Sequence, residues 1–179
     1  MNTRIITFSL VLVSLMALAL TISVSPATAA ASAKGPVVHT VSAGGPDLCN
    51  AFGEHPGCDG NFSLVGFVYA DGSMSGEYID RFANGDGIHA VIDCVSVVGN
   101  EAWVSGVITS GSYTDPDTGQ VYDFTGLPLA TRFRDNGTSA KDAVDQMSFS
   151  WFGGDNASSC TDHIQYRLFD EPEGQVIVK

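Results

Sequence analysis

Three polar side chains, those of His89, Asp93 and Asp80, are the strongest candidates for chemistry in this sequence. A two-residue turn at Gly99-Asn100 places His89 and Asp93 on the same face of the preceding strand, and we expect that face to point inward. An imidazole and a carboxylate in an apolar barrel lumen are the usual components of a general-base site. His89 and Asp93 lie roughly 13 Å apart along the strand, so each needs a partner from a neighbouring strand.

The neighbouring strands offer four polar partners for such a site, namely Asp80, Tyr78, Arg132 and Tyr166. A purely structural interpretation places His89 at the barrel rim, with Asp93 paired to an arginine or lying opposite Gly106 at a bulge. We expect this structural interpretation and therefore assign no catalytic residue.

Carboxylates also cluster between Asp115 and Gly119 in the sequence DPDTG, with Asp123 just beyond. Hard oxygen ligands on a turn suit calcium, but an EF-hand loop has glycine at its sixth position and glutamate at its twelfth. Here Gly119 is fifth and Gly126 is twelfth. We interpret the segment as a tight turn between strands.

The remaining histidines give no site. Asp162-His163 lies close to Cys160, but His163 falls on the wet face of a predicted strand, which indicates a surface histidine. His39 and His55 lack metal-ligand spacing, and the sequence has no nucleophile elbow around a serine. We predict neither a metal nor a cofactor.

Four cysteines, Cys49, Cys58, Cys94 and Cys160, form an even set and allow three pairings. We prefer Cys49 with Cys58, because these bracket a turn-rich loop, and hence Cys94 with Cys160. The alternative, a metal site, lacks knuckle spacing. Oxidation of all four thiols would exclude cysteine catalysis.

Residues 1–30 are predicted to be a signal peptide. Arg4 precedes an apolar run from Ile5 to Val24, and Pro26 and several small residues follow. Cleavage after Ala29 or Ala30 satisfies the small-residue rule. An uncleaved anchor is the alternative, but serines and threonines interrupt the run. We therefore predict a secreted, extracellular protein, which also suits paired cysteines.

The charge balance excludes whole classes of partner. The 179 residues include 8 Lys and Arg against 20 Asp and Glu, a formal net charge of -12. Nucleic acid needs a cationic surface, so we predict no nucleic-acid binding. Anionic membranes would repel the chain as well, and we predict no membrane association after signal cleavage.

Beyond residue 60 the apolar pattern has a period of two, which is typical of antiparallel strands. Two hairpins stand out, Phe62–Ala70 with Met74–Phe82 and Gly87–Val98 with Glu101–Ser110. The second has a two-residue turn that sets Val98 opposite Glu101. Its predicted inward face contains His89, Val91, Asp93, Val95 and Val97 beside Ala102, Val104, Gly106 and Ile108.

Further predicted strands are 145–151, 163–168, Leu129–Arg134, Gln175–Val178 and a short one at Gln120–Phe124. Together the strands predict an all-β fold, a single antiparallel up-and-down barrel of about eight strands tied by disulfides, with a β-sandwich as the alternative. The predicted organisation is a signal peptide at 1–30, an irregular segment with a small cysteine loop at 31–60, and a barrel at 61–179.

A set of turn and cysteine motifs runs through the barrel region: Asp71-Gly72-Ser73 with Ser75-Gly76, the run Cys94–Ala102, Gly106-Val107-Ile108, Asp135-Asn136-Gly137, Asp145-Gln146 and Cys160. With these motifs, residues from about 60 to 165 resemble a group of secreted bacterial β-rich proteins without assigned activity. The resemblance implies export, a β-rich fold and a bridge between Cys94 and Cys160. It implies no active-site residue, and the loop between Cys49 and Cys58 departs from the pattern.

Two classes of function follow. The first is a secreted non-catalytic module that binds a small apolar ligand or a protein partner through its loops or lumen. Phe149, Trp151 and Tyr166 are predicted to face inward, and Trp103 outward as a surface contact or a partner of the Cys94 bridge. The alternative is a small isomerase or hydrolase with Asp93, Asp80 or His89 in the lumen. A fainter third interpretation is a protease inhibitor that uses the small cysteine loop.

Overall fold

The computed structural model describes residues 34–46, 60–82, 85–139, 141–153, 156, 158–171 and 173–179. The predicted signal peptide and the proposed Cys49–Cys58 loop with His55 lie outside these residues. The strands are β1 Val37–Pro46, β2 Asn61–Tyr69, β3 Met74–Arg81, β4 Gly87–Val98, β5 Glu101–Thr114, β6 Val121–Asp123, β7 Pro128–Arg134, β8 Gln146–Met147, β9 Trp151–Phe152, β10 Phe169–Asp170 and β11 Gln175–Val178, with one short helix, α1 Ser159–Asp162.

The described strands form one antiparallel sheet that curls into a half-barrel. Its order is β10-β8-β7-β5-β4-β3-β2-β1-β11, while β6 pairs with β5 and β9 with β7. Strands β1 to β5 are therefore consecutive neighbours, as an up-and-down arrangement requires. The predicted all-β, barrel-like fold is confirmed. Within the described ranges, no helix combines the length and the apolar character needed to cross a membrane.

The hairpin between β4 and β5 turns where the sequence indicates. Val98 pairs with Glu101, which confirms the predicted register at the turn. Gly99 has φ of 62°, a left-handed conformation that glycine adopts without a steric penalty. The dipeptide Gly99-Asn100 is thus the local cause of this hairpin.

Farther from that turn, the predicted inward face of β4 is wrong. The register shifts between Ile92, which pairs with Gly106, and Cys94, which pairs with Ser105, so Asp93 is an extra residue in a β-bulge. A one-residue insertion exchanges the two faces of the strand beyond it. Ala90 and Ile92 are therefore buried, whereas His89, Val91 and Asp93 lie on the outer face.

The other predicted inward positions of this hairpin are correct. Val95 is buried and Val97 packs against the core from the β4 side. Ala102, Val104, Gly106 and Ile108 are all buried on β5. The error is therefore confined to the part of β4 that precedes the bulge.

The core fills the concave side of the sheet. Large side chains such as Tyr78, Phe133 and Leu129 are at most 1% exposed, and Phe62 stacks near both Tyr78 and Phe133. Burial of each such side chain stabilises the fold by roughly 1.5 to 3 kcal/mol. The core cluster consists of Val41, Ala43, Phe62, Leu64, Tyr78, Ile88, Ala90, Ile92, Val95, Ala102, Val104, Ile108, Leu129, Phe133, Met147 and Val176.

The segment predicted to be irregular at 31–60 contains a regular strand. β1 spans Val37–Pro46 and pairs with β2 as far as Pro46 opposite Asn61. The sequence pattern does not indicate this strand, because its glycines weaken the apolar alternation. Glycines also permit a close approach of neighbouring backbones. A Cβ on Gly45 would lie 2.6 Å from the Cα of Gly174.

The C-terminal third is less regular than predicted. Leu129–Arg134 and Gln175–Val178 are strands, but the predicted strand at 145–151 is interrupted at 148–150. There the Ser148 hydroxyl accepts a hydrogen bond from the Arg132 backbone N–H at 2.9 Å, so a side chain replaces a backbone partner. Residues 163–168 form no strand.

Two carboxylates connect β11 to the opposite side of the half-barrel. Asp145 Oδ2 accepts a hydrogen bond from the N–H of Val176 at 2.7 Å, and Asp135 Oδ2 accepts one from that of Val178 at 2.9 Å. Both acceptors belong to the loop that follows β7. Side chains here take the place of a neighbouring strand, and Asp145 is buried as a result.

Candidate functional site

The three predicted lumen candidates do not come together. His89 lies on the outer face, where its Nε2 is 2.6 Å from Glu77 Oε1 on the adjacent strand, in a half-exposed pair. Asp93 is exposed at the bulge. Only Asp80 is inside the half-barrel, at 5% exposure. The placement of His89 and Asp93 in the lumen is therefore wrong, because the bulge turns both of them outward.

Asp80 belongs to a chain of hydrogen bonds inside the sheet. Ser150 Oγ donates to the Tyr78 hydroxyl at 2.7 Å, and that hydroxyl donates to Asp80 Oδ2 at 3.0 Å. Tyr78 and Asp80 alternate along β3 with their side chains inward, which the period of two predicts. The sequence pattern assigns Ser150 no role, because the interruption at 148–150 ends the two-residue alternation of the predicted strand at 145–151.

The aromatic residues predicted to face inward divide between packing and polar roles. Phe149 packs against the core and meets Phe169 edge-on at 4.9 Å between ring centroids. Tyr166 is half-buried, and its hydroxyl donates to Asn156 Oδ1 at 3.1 Å. The backbone of Trp151 pairs with Ala130 in β9. Tyr166 belongs to residues 163–168, which form no strand, so its predicted position on an inward strand face is wrong. The described interior consists mainly of apolar side chains, with the Ser150–Tyr78–Asp80 chain among them.

A second surface lies at the far end of β5. The β5–β6 hairpin, residues 112–123, pairs Tyr113 with Tyr122 and Thr114 with Val121. The two tyrosine rings stack at 6.5 Å, and Phe82 meets Tyr113 edge-on at 6.1 Å. These ring contacts connect the hairpin to the end of β3 and hold it against the half-barrel.

The outer strand of this hairpin is apolar and exposed. All three residues of β6 are exposed, and Val121 is 62% and Tyr122 42% exposed. Isolated exposed apolar residues are ordinary, but adjacent ones on an edge strand indicate a contact surface. The sequence analysis identified this strand as Gln120–Phe124 but assigned it no role, because exposure depends on what packs nearby.

Carboxylates surround this exposed strand. Asp115 Oδ1 accepts the N–H groups of Asp117 and Thr118, both at 2.9 Å, which confirms the tight turn. Asp123 Oδ1 accepts the N–H of Thr125 at 2.8 Å. Oxygen atoms that cap their own loop are poorly arranged for calcium, and the described residues contain no cluster of three or more His, Cys, Asp or Glu suited to a metal.

Residues 158–168, which we call the outer strap, cross the convex face of β4, β5 and β7. Cys160 forms a disulfide with Cys94, as predicted. Trp103 Nε1 donates to the Ile164 carbonyl at 2.9 Å, and Arg132 Nη1 donates to that of Tyr166 at 2.9 Å. The strap therefore covers Trp103, which is only 5% exposed. The interpretation of Trp103 as a surface contact is wrong.

His163 takes part in the strap rather than standing on the wet face of a strand. It ends α1 in a left-handed conformation with φ of 50°, and its Nε2 lies 2.7 Å from Ser96 Oγ. Its ring packs on that of Trp103 at 4.6 Å. A serine and a histidine at this distance resemble part of a nucleophile pair, but their described contacts include no acid to orient the ring. The contact therefore fastens the strap.

A further charged group lies beside the strap. Glu101 on β5 accepts hydrogen bonds from both Arg132 and Arg134 on β7, with Nε to carboxylate distances of 3.0 and 2.9 Å. Burial would raise the pKa of Glu101, but the hydrogen bonds and charges of Arg132 and Arg134 outweigh it and hold the pKa below the ordinary 4.5. Each charge has a partner, so the group stabilises the sheet.

No protein-family model, curated protein or solved structure matches the chain. The resemblance to secreted bacterial β-rich proteins therefore stays a prediction. The described residues form two candidate sites, the Ser150–Tyr78–Asp80 chain and the β5–β6 hairpin.

Proposed function

We propose that the protein is an exported, non-catalytic β-barrel module that binds a partner through its β5–β6 hairpin. The observation that carries this proposal is the adjacent exposure of Val121 and Tyr122 on a strand held in place by the Tyr113 and Phe82 rings. A rigid apolar strand at the surface is a suitable contact, since little conformational freedom is lost when it binds.

The separation of the three lumen candidates, His89, Asp93 and Asp80, supports a non-catalytic role. General acid–base chemistry needs groups within hydrogen-bond reach of one reacting atom. His89 and Asp93 are on the outer face, whereas Asp80 is inside. The core side chains occupy the interior next to Asp80.

Export is part of the proposal. The Cys94–Cys160 bridge is compatible with an oxidising compartment, and the apolar N-terminal run with small residues after it is typical of a cleaved signal.

Selection of a random peptide display library on the folded protein tests binding. We expect enriched peptides to be lost when Val121→Ser and Tyr122→Ser are combined. The control combines Val91→Ser and Val107→Ser, two exposed valines that face each other on the outer side of β4 and β5. If every enriched peptide binds the hairpin variant and the control equally, the proposed function is wrong.

The alternative function is a small isomerase or hydrolase, and the Ser150–Tyr78–Asp80 chain favours it. A buried carboxylate that accepts from the Tyr78 hydroxyl, which in turn accepts from that of Ser150, could relay a proton. The test measures turnover of a panel of esters and glycosides. Loss of turnover in Asp80→Asn, together with normal turnover in the exposed control Glu77→Gln, would establish this function. Equal rates in both variants would remove it.

A further inference from the structure

We propose that the β5–β6 hairpin binds a basic, extended peptide segment of another protein. This inference rests on the proposed function and adds the conformation and the charge of the partner. The conformation follows from the strand edge, and the charge follows from the residues around it.

The strand edge favours an extended partner. In the part of the chain that the structure describes, β6 pairs only with β5. The backbone of an edge strand offers N–H and C=O groups to one more strand, which is the basis of peptide recognition by strand addition. Val121 and Tyr122 project to opposite faces of β6, so a peptide paired along it contacts one of them on each face.

The surroundings of β6 favour a cationic partner. From Phe82 to Thr131 the sequence has no lysine or arginine, yet it contains six acidic residues. Three of them, Asp115, Asp117 and Asp123, belong to the hairpin itself. Residues 112–123 therefore contain three carboxylates and no lysine or arginine, so the exposed strand belongs to a locally acidic hairpin.

Two of these carboxylates, those of Asp115 and Asp123, stay ionised over the useful pH range. The backbone N–H of Thr118 is the main cause of the lowered pKa of Asp115, and hydrogen bonds from Thr125 lower the pKa of Asp123. Both groups therefore titrate below their ordinary 3.8. Tyr122 adds an exposed ring whose face attracts lysine or arginine.

The same charge argues against other occupants of the edge. A second copy of the chain would bring its own net charge of -12 to this surface and repel the first. Nucleic acid is anionic and is repelled likewise. A basic peptide is attracted to the carboxylates, pairs with the backbone of β6 and covers Val121 and Tyr122.

The test is a titration of the disulfide-bonded protein with three fluorescent nine-residue peptides, in which valine alternates with lysine, glutamine or glutamate. We expect the lysine peptide to bind best and to lose about tenfold in affinity for the triple variant Asp115→Asn, Asp117→Asn, Asp123→Asn. Asparagine can still accept the hydrogen bonds of the turn, so folding is preserved. Salt near 0.5 M should remove most of the difference.

The matched control is the triple variant Glu77→Gln, Asp93→Asn, Asp162→Asn, which removes the same number of charges from exposed positions outside the hairpin. We expect it to bind the lysine peptide within about twofold of the unchanged protein. Equal loss in both triple variants would indicate attraction to any acidic surface and would overturn the inference. Equal affinity for the lysine and glutamine peptides would overturn it as well.

The display selection separates this inference from the proposed function. Hairpin-dependent peptides without an excess of lysine and arginine would leave the proposed function standing and would overturn the basic partner. An absence of hairpin-dependent peptides would reject the proposed function. Enrichment of basic, hairpin-dependent peptides supports both.

Discussion

Glu101 shows how much a single residue contributes to this sheet. It is one position from the Gly99-Asn100 turn, and the pairing of β5 with β7 brings it to Arg134. Its side chain is 18% exposed and holds both Arg132 and Arg134. Because removal of one member leaves two partly buried guanidinium groups without their acceptor, this carboxylate stabilises more than an ordinary surface ion pair does.

The lowered pKa of Glu101 gives a pH-dependent prediction. The folded-state pKa lies below the unfolded value near 4.5, so the stabilisation is fully present above that value and is lost as the pH falls through the folded pKa. We expect Glu101→Gln to be less stable than the unchanged protein by about 1 to 3 kcal/mol at pH 7. Urea unfolding should show this gap shrinking as the pH falls below 4.5.

Glu77→Gln is the control for Glu101, because Glu77 faces His89 in a half-exposed pair. We expect its free energy of unfolding to change by less than about 0.5 kcal/mol at pH 7. A gap for Glu101→Gln that stays constant from pH 7 to acidic pH would contradict the role of its charge.

At the scale of elements, the bulge in β4 decides which side chains form the core. Ala90 and Ile92 face inward only because Asp93 is left out of the pairing between β4 and β5. The Asp93 side chain is exposed, so its identity matters little; the core requires only that no residue between Cys94 and Ile92 takes part in the pairing.

Deletion of Asp93 tests this view of the bulge. Without Asp93, Cys94 follows Ile92 directly, and regular alternation keeps Ile92 and Ala90 inward, so the core survives. We expect this deletion to change stability by less than about 1.5 kcal/mol, while deletion of Val91, which turns Ala90 outward, destabilises the protein by more than about 3 kcal/mol. Thermal unfolding of both variants measures the contrast, and equal effects would show that the register is set elsewhere.

The outer strap depends on the disulfide in a similar way. The bridge joins residues 66 positions apart, and a loop of that length stabilises by about 4 kcal/mol in the loop-entropy model. We expect Cys94→Ser with Cys160→Ser to lower the melting temperature sharply. Trp103 fluorescence should shift to the red as the strap leaves its ring. An unchanged transition and spectrum would mean that the hydrogen bonds of the strap suffice without the bridge.

At the scale of the whole molecule, the proposal requires export of an acidic protein with a processed N-terminus. We expect mass spectrometry of material from the medium of an expressing host to find a chain that begins at Ala30 or Ala31. The control is Ala27→Arg with Ala29→Arg, which removes the small residues that a signal peptidase needs for cleavage after Ala29. A chain retained in the cells with Met1 intact would contradict the predicted signal.

The amino-acid sequence alone predicts many of the strands, turns and pairings of this fold. Alternating apolar residues, the Gly99-Asn100 turn and β-rich composition predict antiparallel hairpins, because these signals act between residues close in the chain. Cys94 and Cys160 were paired correctly as well. The uninterrupted alternation of β3 also predicts that Asp80 and Tyr78 share one face of the sheet.

Tertiary structure alone decided the rest. The sequence allows a bulge at Asp93, but Ile88 to Val98 is apolar on both faces, so no local pattern decides between that bulge and a regular strand. The faces of His89 and Val91 depend on how β5 lies alongside. The meeting of Ser150 with Tyr78, the hydrogen bonds of Asp145 to β11 and the exposure of Val121 all join or separate residues distant in sequence. Local periodicity determines strands and turns, whereas the packing of the whole sheet determines register shifts and which side chains are exposed.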